Sequence, residues 1–380
     1  MRSSISGLAA IALAGASGLF AQDSPLTSSS VSLNLPANSP VTVLSVSTDQ
    51  SRTTARGAAM VLDLHMALSL RNGTQERIHG ITLRVVAQEV AMGGRGSVTI
   101  PSMNVGPGES FPVRIDMQLV RPTQFAGGPL VKVDLDGVLF QDLSFYGPDR
   151  LNSRRYLTAC ELEAQRDREY FKRILAHSGP QGLQQAMIDS LDRQMKLAPL
   201  TVKLRRGPSV TSAALAPEHA AEFAFLQFPD SPVEPVAGWA RVAGNEARTP
   251  QIEVRNRSGK PIKYVELGWV VSDREGRQYL AGSLPSSEGN LVISPGQDAK
   301  VLQDTTLSFS SSGQPVNIRK MTGFINQVEF ADGKLWVPNR QNLEDPVLQK
   351  TLAPSAEEQR LSDLYRRKGL QALIDELKKY

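Results

Sequence analysis

The sequence predicts a mainly β protein, two tandem antiparallel β-sandwiches each followed by a short α-helical pair. Three observations predict it. Apolar residues alternate with polar ones over long stretches, turn-forming residues punctuate those stretches, and nearly the same succession of motifs occurs twice. Ser69-Leu70-Arg71-Asn72, followed by Ile78, Ile81 and Leu83, returns as Glu253-Val254-Arg255-Asn256, followed by Ile262, Val265 and Leu267. The two stand 184 positions apart (255 − 71). Val138, Phe140, Asp142, Tyr146, Pro148 and Arg150 return at the same internal spacing as Val328, Phe330, Asp332, Trp336, Pro338 and Arg340, 190 positions on (330 − 140). Two units of about 150 residues read as two domains, since solenoids stack shorter units three or more times.

Met1-Arg2-Ser3-Ser4 reads as a short basic region and Ile5 to Phe20 as an apolar, small-residue core. Together they make residues 1–21 an expected signal peptide, cleaved near Ala21-Gln22. The stretch falls short of the roughly 20 strongly apolar residues of a membrane span; a retained anchor is the rival reading. No Cys follows the apolar core, as a lipoprotein would need; the single Cys is Cys160. The expected address is therefore periplasmic or secreted, with no stable membrane span after cleavage and no intramolecular disulfide.

Residues 30–150 carry the first sandwich pattern. Leu62, Leu64, Met66, Leu68 and Leu70 alternate with Asp63, His65, Ala67 and Ser69, and Ile81, Leu83 and Val85 alternate with Thr82 and Arg84. One face of each strand is expected on a core and the other in water. Arg71-Asn72-Gly73-Thr74 supplies turn chemistry. Asp142-Leu143-Ser144 stands where the second pattern has Asp332-Gly333-Lys334, so a looser first turn is expected. Residues 151–198 then change to helical period, with Leu162, Tyr170, Phe171 and Ile174 on one stripe and Leu183, Met187, Leu191 and Met195 on another.

A Pro-, Ala- and Ser-rich linker covers 199–221, with a short strand at Thr201 to Leu204. The second sandwich is expected over 222–340, where Val265, Leu267, Trp269 and Val271 alternate with Glu266 and Gly268, and its helical extension over 341–380. Gly182-Leu183-Gln184 and Gly369-Leu370-Gln371 look like the same point in the two tails. The expected core includes Leu64, Leu68, Leu83, Val85, Phe140, Leu267, Trp269, Phe330 and Trp336.

The Arg255-Asn256-x-Ser258-Gly259-Lys260-Pro261-Ile262 turn, the strand Val265 to Val271 with Asp273 and Gly276, and Ser294-Pro295-Gly296 resemble bacterial extracytoplasmic immunoglobulin-like modules of the FxLYD type. The resemblance covers about Gln251 to Trp336 and is weaker in the first pattern, where Gly73-Thr74-Gln75-Glu76-Arg77 departs from it. It implies an immunoglobulin-like binding or scaffolding module outside the cytoplasm and transfers no catalytic residue.

The net charge of +4, from 42 Lys and Arg against 38 Asp and Glu, is small for this length. Short basic clusters at Lys203, Arg205 and Arg206 and at Arg366-Arg367-Lys368 read as solvated residues, so no nucleic-acid partner is expected. The chain holds no His-Glu-x-x-His, Cys-x-x-Cys, Gly-x-Ser-x-Gly or phosphate-binding Gly-rich loop. His65, His79, His177 and His219 lack metal-ligand spacing, and no cofactor is expected. Asp134-Leu135-Asp136-Gly137 lacks the further carboxylates of a calcium loop. Cys160 reads as a buried small side chain, and Arg71 and Arg255 read as donors to loop carbonyls.

The recurrent polar set Asp142, Tyr146, Arg150, Asp332, Trp336 and Arg340 is the candidate recognition surface. The simpler reading has each Asp start a turn, each aromatic close the core and each Arg reach the following helix. The leading functional expectation is an exported, non-enzymatic protein-interaction or scaffolding protein with an envelope or secreted protein partner. The alternative is a small-molecule sensor or enzyme with its site in a cleft between the copies.

Overall fold

The structure, a computed structural model, describes residues 23–89, 92–123, 128–198, 200–206, 217–285, 292–302 and 305–380. The expected signal peptide, residues 1–21, lies outside the described residues. Antiparallel sheets dominate. The chain divides into two compact units, one of Met1–Glu76, Thr82–Val98 and Val105–Asp136, the other of Arg77–Ile81, Thr99–Asn104 and Gly137–Tyr380.

The long strand Ala59–Asn72 organises the first sheet, pairing with Ser110–Pro122 along almost its whole length and with Val41–Ser47 and Arg52–Arg56 on its other side. Leu62, Leu64, Met66, Leu68 and Leu70 are buried, as their alternation requires. A second sheet runs Phe145–Tyr146, Val131–Phe140, Ile78–Val86, Arg95–Ile100, with Val31–Asn34 added parallel to Val131–Asp134. The later part of the chain holds two further sheets. Glu246–Asn256 lies between Val233–Ala243 and both Asp298–Leu302 and Thr305–Ser311. Ile262–Asp273 lies between Gln278–Pro285 and Ile318–Phe330, with Ala224–Phe225 added parallel to Thr322–Gly323.

Buried asparagines hold the corresponding turns. Asn72 Nδ2 donates to the carbonyls of Glu76, Val105 and Gly106 at 2.8, 3.1 and 3.1 Å, and its Oδ1 accepts from the backbone and hydroxyl of Thr74. Asn256 Nδ2 donates to Lys260 O and Ile293 O at 2.8 and 2.9 Å, and its Oδ1 accepts from the backbone and hydroxyl of Ser258. Both residues are fully buried. Buried amides are tolerated only when satisfied, so these residue types are dictated by the carbonyls around them.

Three expectations are corrected. First, Ile78–Val86 is buried at every position, Thr82 and Arg84 included, rather than wet on one face. Arg84 is accommodated by Asp134 and Glu89. In the later sheet the outer face is covered too: Val270 and Phe324 pack with Phe228 and with Leu348 of the short helix α2 (Pro346–Thr351). Gly268 is needed there, since a Cβ would stand 2.2 Å from the Phe324 ring. Second, the Asp142 turn is no looser than its counterpart. Phe140 N to Ser144 O at 3.0 Å matches Phe330 N to Lys334 O at 2.9 Å, and Leu143 takes the left-handed backbone (φ 67°) that Gly333 adopts at φ 81°. Third, Phe140, Phe330 and Trp336 are half-buried at the margin of the core, whereas Trp269, at 3% exposure, is inside it.

The helical segments are α1 (Ser153–Lys196) and α3 (Ala356–Leu377). Each is a pair of helices broken at a glycine, Gly179 (φ 67°, ψ −170°) and Gly369 (φ 82°, ψ −180°), a conformation open essentially to glycine alone. The sequence match of Gly182 with Gly369 is therefore out of register. Counted from the break, the buried residues correspond at a constant offset of 190 (361 − 171, 373 − 183, 377 − 187): Phe171 with Leu361, Leu183 with Leu373 and Met187 with Leu377. These six side chains form one core between α1 and α3 and cover most of each apolar stripe, while Met195, expected on the second stripe, is 78% exposed. Ser355 caps α3 by accepting from Glu358 N at 3.1 Å, and Asp345 caps α2 ahead of Pro346.

Asn256→Asp keeps the shape but turns a donor into a carboxylate facing carbonyl oxygens. It is expected to lower the unfolding free energy by about 2–4 kcal/mol in chemical denaturation, and Asn256→Ala is expected to do the same; a loss below about 1 kcal/mol counts against the assigned role. Gly369→Ala is expected to cost roughly 1–3 kcal/mol in the same measurement because of the backbone it must adopt, and a neutral result overturns that reading.

Candidate functional site

The first half of α1 is the element around which polar groups collect. Leu157 fills the space beside Gly80, where a Cβ would stand 2.7 Å from its Cδ2. One turn on, Glu161 is fully buried, and His79 Nδ1 lies 3.0 Å from its Oε1, out of line for a hydrogen bond. Arg168 Nη2 donates to Glu161 Oε1 at 2.5 Å, and Arg168 Nη1 reaches Glu357 Oε1 of α3 at 3.4 Å. Arg360 holds the far side of Glu357, with two donors at 2.8 Å, and contacts Glu376 at 2.7 Å. The Tyr380 ring lies under the Arg168 guanidinium at 4.0 Å, and burial pushes its hydroxyl up to about 12.

A second network surrounds buried Asp167. Burial alone would raise its carboxyl, but the charge and hydrogen bonds of Arg166, a hydrogen bond from Ser355 and the charge of Arg340 hold it below the usual range. Arg166 is fully engaged, through Nε and Nη2 to Asp167 and through Nη1 to Pro338 O at 2.9 Å. Arg340 Nη1 bridges Asp167 (3.3 Å) and Glu358 (3.1 Å), its guanidinium stacks 4.0 Å from the Tyr170 ring, and Glu358 also pairs with Arg193.

The six residues of the expected recognition surface are distributed by these networks. Arg340 is taken into the helical one. Asp142 Oδ1 accepts from Ser144 N at 2.8 Å, and Asp332 Oδ1 accepts from Lys334 N at 3.0 Å; these turn bonds hold Asp142 low, and Lys260, 2.7 Å away, does the same for Asp332. Trp336 Nε1 donates to Asp230 at 3.3 Å while its ring packs against the later core. Tyr146 is half-buried in the strand Phe145–Tyr146, and Arg150 is exposed and engaged in contacts just before α1. The structure does bring Asp142 and Asp332 together. They line one groove of about 540 Å³, floored by Leu143, Phe145, Leu162 and Leu335 and flanked by Arg154 and Lys334.

A smaller cavity of about 320 Å³ opens on the opposite stretch of α1, between Tyr156, Cys160, Glu163, Glu266 and Gln327. Burial first, and Glu163 second, push the Cys160 thiol up to about 12, so it stays protonated at neutral pH and is no ready nucleophile. Glu163 is raised by burial and by the charges of Asp167 and Glu266, which outweigh Arg166. Glu266 accepts from Tyr264 at 2.7 Å and Asn326 at 3.1 Å. Glu163 and Gln327 carried no motif, and only the pairing of Glu266 with Gln327 across neighbouring strands hints at their convergence.

The remaining candidates resolve into structural roles. His65 is exposed beside Asp116 (3.0 Å) and Asp63, and His177 bonds Arg173 O. Asp134 sits within a strand, bonded to Asn34 and Arg84. Arg71 donates to Gly108 O as expected, whereas Arg255 pairs with the Asp298 carboxylate at 2.6 and 2.9 Å instead of a carbonyl. Among the described residues no group of three His, Cys, Asp or Glu converges for a metal, and no helix is long and apolar enough to cross a membrane.

No family model matches the chain, and no curated protein matches it. Among solved structures, a putative ApaA protein from Bordetella pertussis aligns at 12% identity over 37% of this chain and 88% of its own, with a TM-score of 0.19. A structural-genomics target aligns at 12% identity over 36% and 78%, with a TM-score of 0.18. Red sea bream transglutaminase aligns at 7% identity over 76% and 31%, with a TM-score of 0.13. Likeness at this level assigns neither a family nor an activity.

Arg168→Met would leave Glu161 and Glu357 buried without their shared cation, and is expected to cost about 3–5 kcal/mol in denaturant unfolding; a change under about 1 kcal/mol would show the network to be dispensable. Glu163→Gln tests the raised carboxyl. A group that holds its proton more tightly when folded loses stability as pH rises above its ordinary value of 4.5. The stability of Glu163→Gln relative to the wild type should therefore grow from pH 4.5 upward, read as the difference in melting temperature across a pH series. A pH-independent difference would contradict the assignment.

Proposed function

We propose that this chain is an exported, non-enzymatic interaction or scaffolding protein, built from a duplicated sandwich–helix module related to extracytoplasmic immunoglobulin-like domains. The apolar core of residues 5–20 supports export to the periplasm or beyond, and the matching bonds of Asn72 and Asn256 support duplication. The observation that carries the reading is the groove holding Asp142 and Asp332. Two turns with the same hydrogen bonds, 190 positions apart (332 − 142), present their carboxylates on one apolar floor beside α1.

Such a groove suits a protein segment that offers an apolar side chain to Leu143, Phe145, Leu162 and Leu335 and a basic one to the Asp rim. The helical apolar stripes already cover most of one another, so the helices serve as a frame and not as free docking arms.

Affinity capture from the native cell envelope, with the exported chain as bait, should retain a partner that Asp142→Lys loses while its melting temperature stays within a few degrees of the wild type. Equal capture by both baits would remove the groove from the binding surface.

A further inference from the structure

The cavity of about 320 Å³ beside Cys160 lies apart from the groove proposed for a protein partner and differs from it in charge. Its walls come from α1, from the strands Ile262–Asp273 and Ile318–Phe330, and from the segment leading into α3. Two carboxyl groups face it, Glu163 and Glu266. The one guanidinium in the wall, Arg166, bonds Asp167 and Pro338 O, and its charge only partly offsets that of the carboxyls. Glu266 is satisfied by Tyr264 and Asn326. The Glu163 carboxyl, in contrast, takes part in no hydrogen bond or ion pair among the described residues.

A second observation is independent of the carboxylates. Gln327 lines the same cavity at 6% exposure, and its Nε2 is buried with no hydrogen-bond partner. A buried amide donor left unmade is costly and marks a place where an acceptor belongs. The cavity thus asks for positive charge at Glu163 and Glu266 and for an acceptor oxygen at Gln327. Its size is that of a small ligand site.

We infer that this cavity binds a primary ammonium group with an adjacent carbonyl, the chemistry shared by small amino amides and the amino terminus of a peptide. The ammonium lies against Glu163, with Glu266 completing the anionic wall, and the carbonyl oxygen accepts from Gln327 Nε2. The groups facing Glu163 are Arg166 and Asp167 from its own helix, Cys160 one turn and Tyr156 two turns back, and Glu266 from the sheet. With Arg166 and Asp167 paired to each other, an incoming cation meets a net negative wall, and its arrival favours the ionised form of Glu163. Binding therefore draws Glu163 toward its ionised form. The inference stands independently of the groove, and either can fail without the other.

The test is isothermal titration calorimetry on the full exported chain with glycinamide, with N-acetylglycinamide as the uncharged control and with triglycine amide as the peptide probe. Glycinamide should bind, the acetylated control should not, and Glu163→Gln should weaken binding by about tenfold or more, the usual worth of one charge-assisted hydrogen bond. In buffers of different ionisation heat at pH 4.5, where a raised Glu163 still holds its proton, binding should release protons. The side-chain amide resonance of Gln327, assigned by ¹⁵N labelling, should shift on addition of glycinamide, which keeps the test decisive even if Glu163→Gln is poorly folded. Triglycine amide binding as tightly as glycinamide assigns the site to peptide amino termini, and its exclusion assigns it to small free amines. Equal binding of the acetylated control, unchanged affinity in Glu163→Gln, or an unmoved Gln327 resonance would each overturn the inference.

Discussion

The seating of the first half of α1 is the constraint on which the later unit depends. Over little more than four turns this helix places Leu157 in the gap left by Gly80, Glu161 beside His79, Arg166 against the Pro338 carbonyl and Phe171 in the core shared with α3. Arg154 and Arg155 add contacts at 3.5 Å to buried Glu329, which Lys263 also reaches at 2.9 Å. Leu157, Glu161 and Phe171 share one side of the helix and Arg155 and Arg166 lie on the other, so its rotation and its position along the axis are both specified. The groove and the cavity are what remains on either side once α1 is so fixed.

Charge burial is unusually heavy in this layer. Glu161, Asp167, Arg168, Glu357 and Glu358 are all nearly inaccessible, in a region with a modest apolar core of six fully buried side chains. Buried ion pairs contribute little net stability against an apolar alternative, but they penalise every arrangement that separates them. Their consequence here is specificity. Two helical pairs with similar apolar stripes could slide by a turn, and the match of Arg168 to Glu161 and Glu357, with Arg340 to Asp167 and Glu358, makes one register far better than its neighbours. Adjacent carboxyls then diverge in character: Asp167, surrounded by donors, stays ionised, while Glu163, one turn earlier, has none and holds its proton more tightly. That contrast between neighbours turns an ordinary gap beside a helix into a candidate cation site.

The candidate surface and the cavity also differ in how much the sequence revealed of them. Asp142 and Asp332 were visible because a turn is a local device: the carboxylate bonds the backbone two residues on, and the spacing is written in consecutive residues. Their meeting in one groove was not visible, since it depends on where α1 runs. Glu163, Glu266 and Gln327 could not be singled out from the chain at all. They stand 103 (266 − 163) and 61 (327 − 266) positions apart on a helix and two strands, and none belongs to a motif. His79 is an isolated histidine in the chain, and only the fold sets Glu161 beside it.

Period-two alternation, the Asn72 and Asn256 turns and the change to helical period after residue 150 determined the strands, their inward faces and the order of the elements, because backbone pairing and turn geometry act over a few residues. Tertiary structure decided whatever rests on a second layer. It buried the supposed water face of Ile78–Val86 and covered Val270 and Phe324 with Phe228 and Leu348. It broke the helical pairs at Gly179 and Gly369, and it packed apolar residues of α1 and α3 on each other. Periodicity states that a face is apolar. Only the packed structure states what covers it, because that depends on volumes and charges brought together from distant parts of the chain.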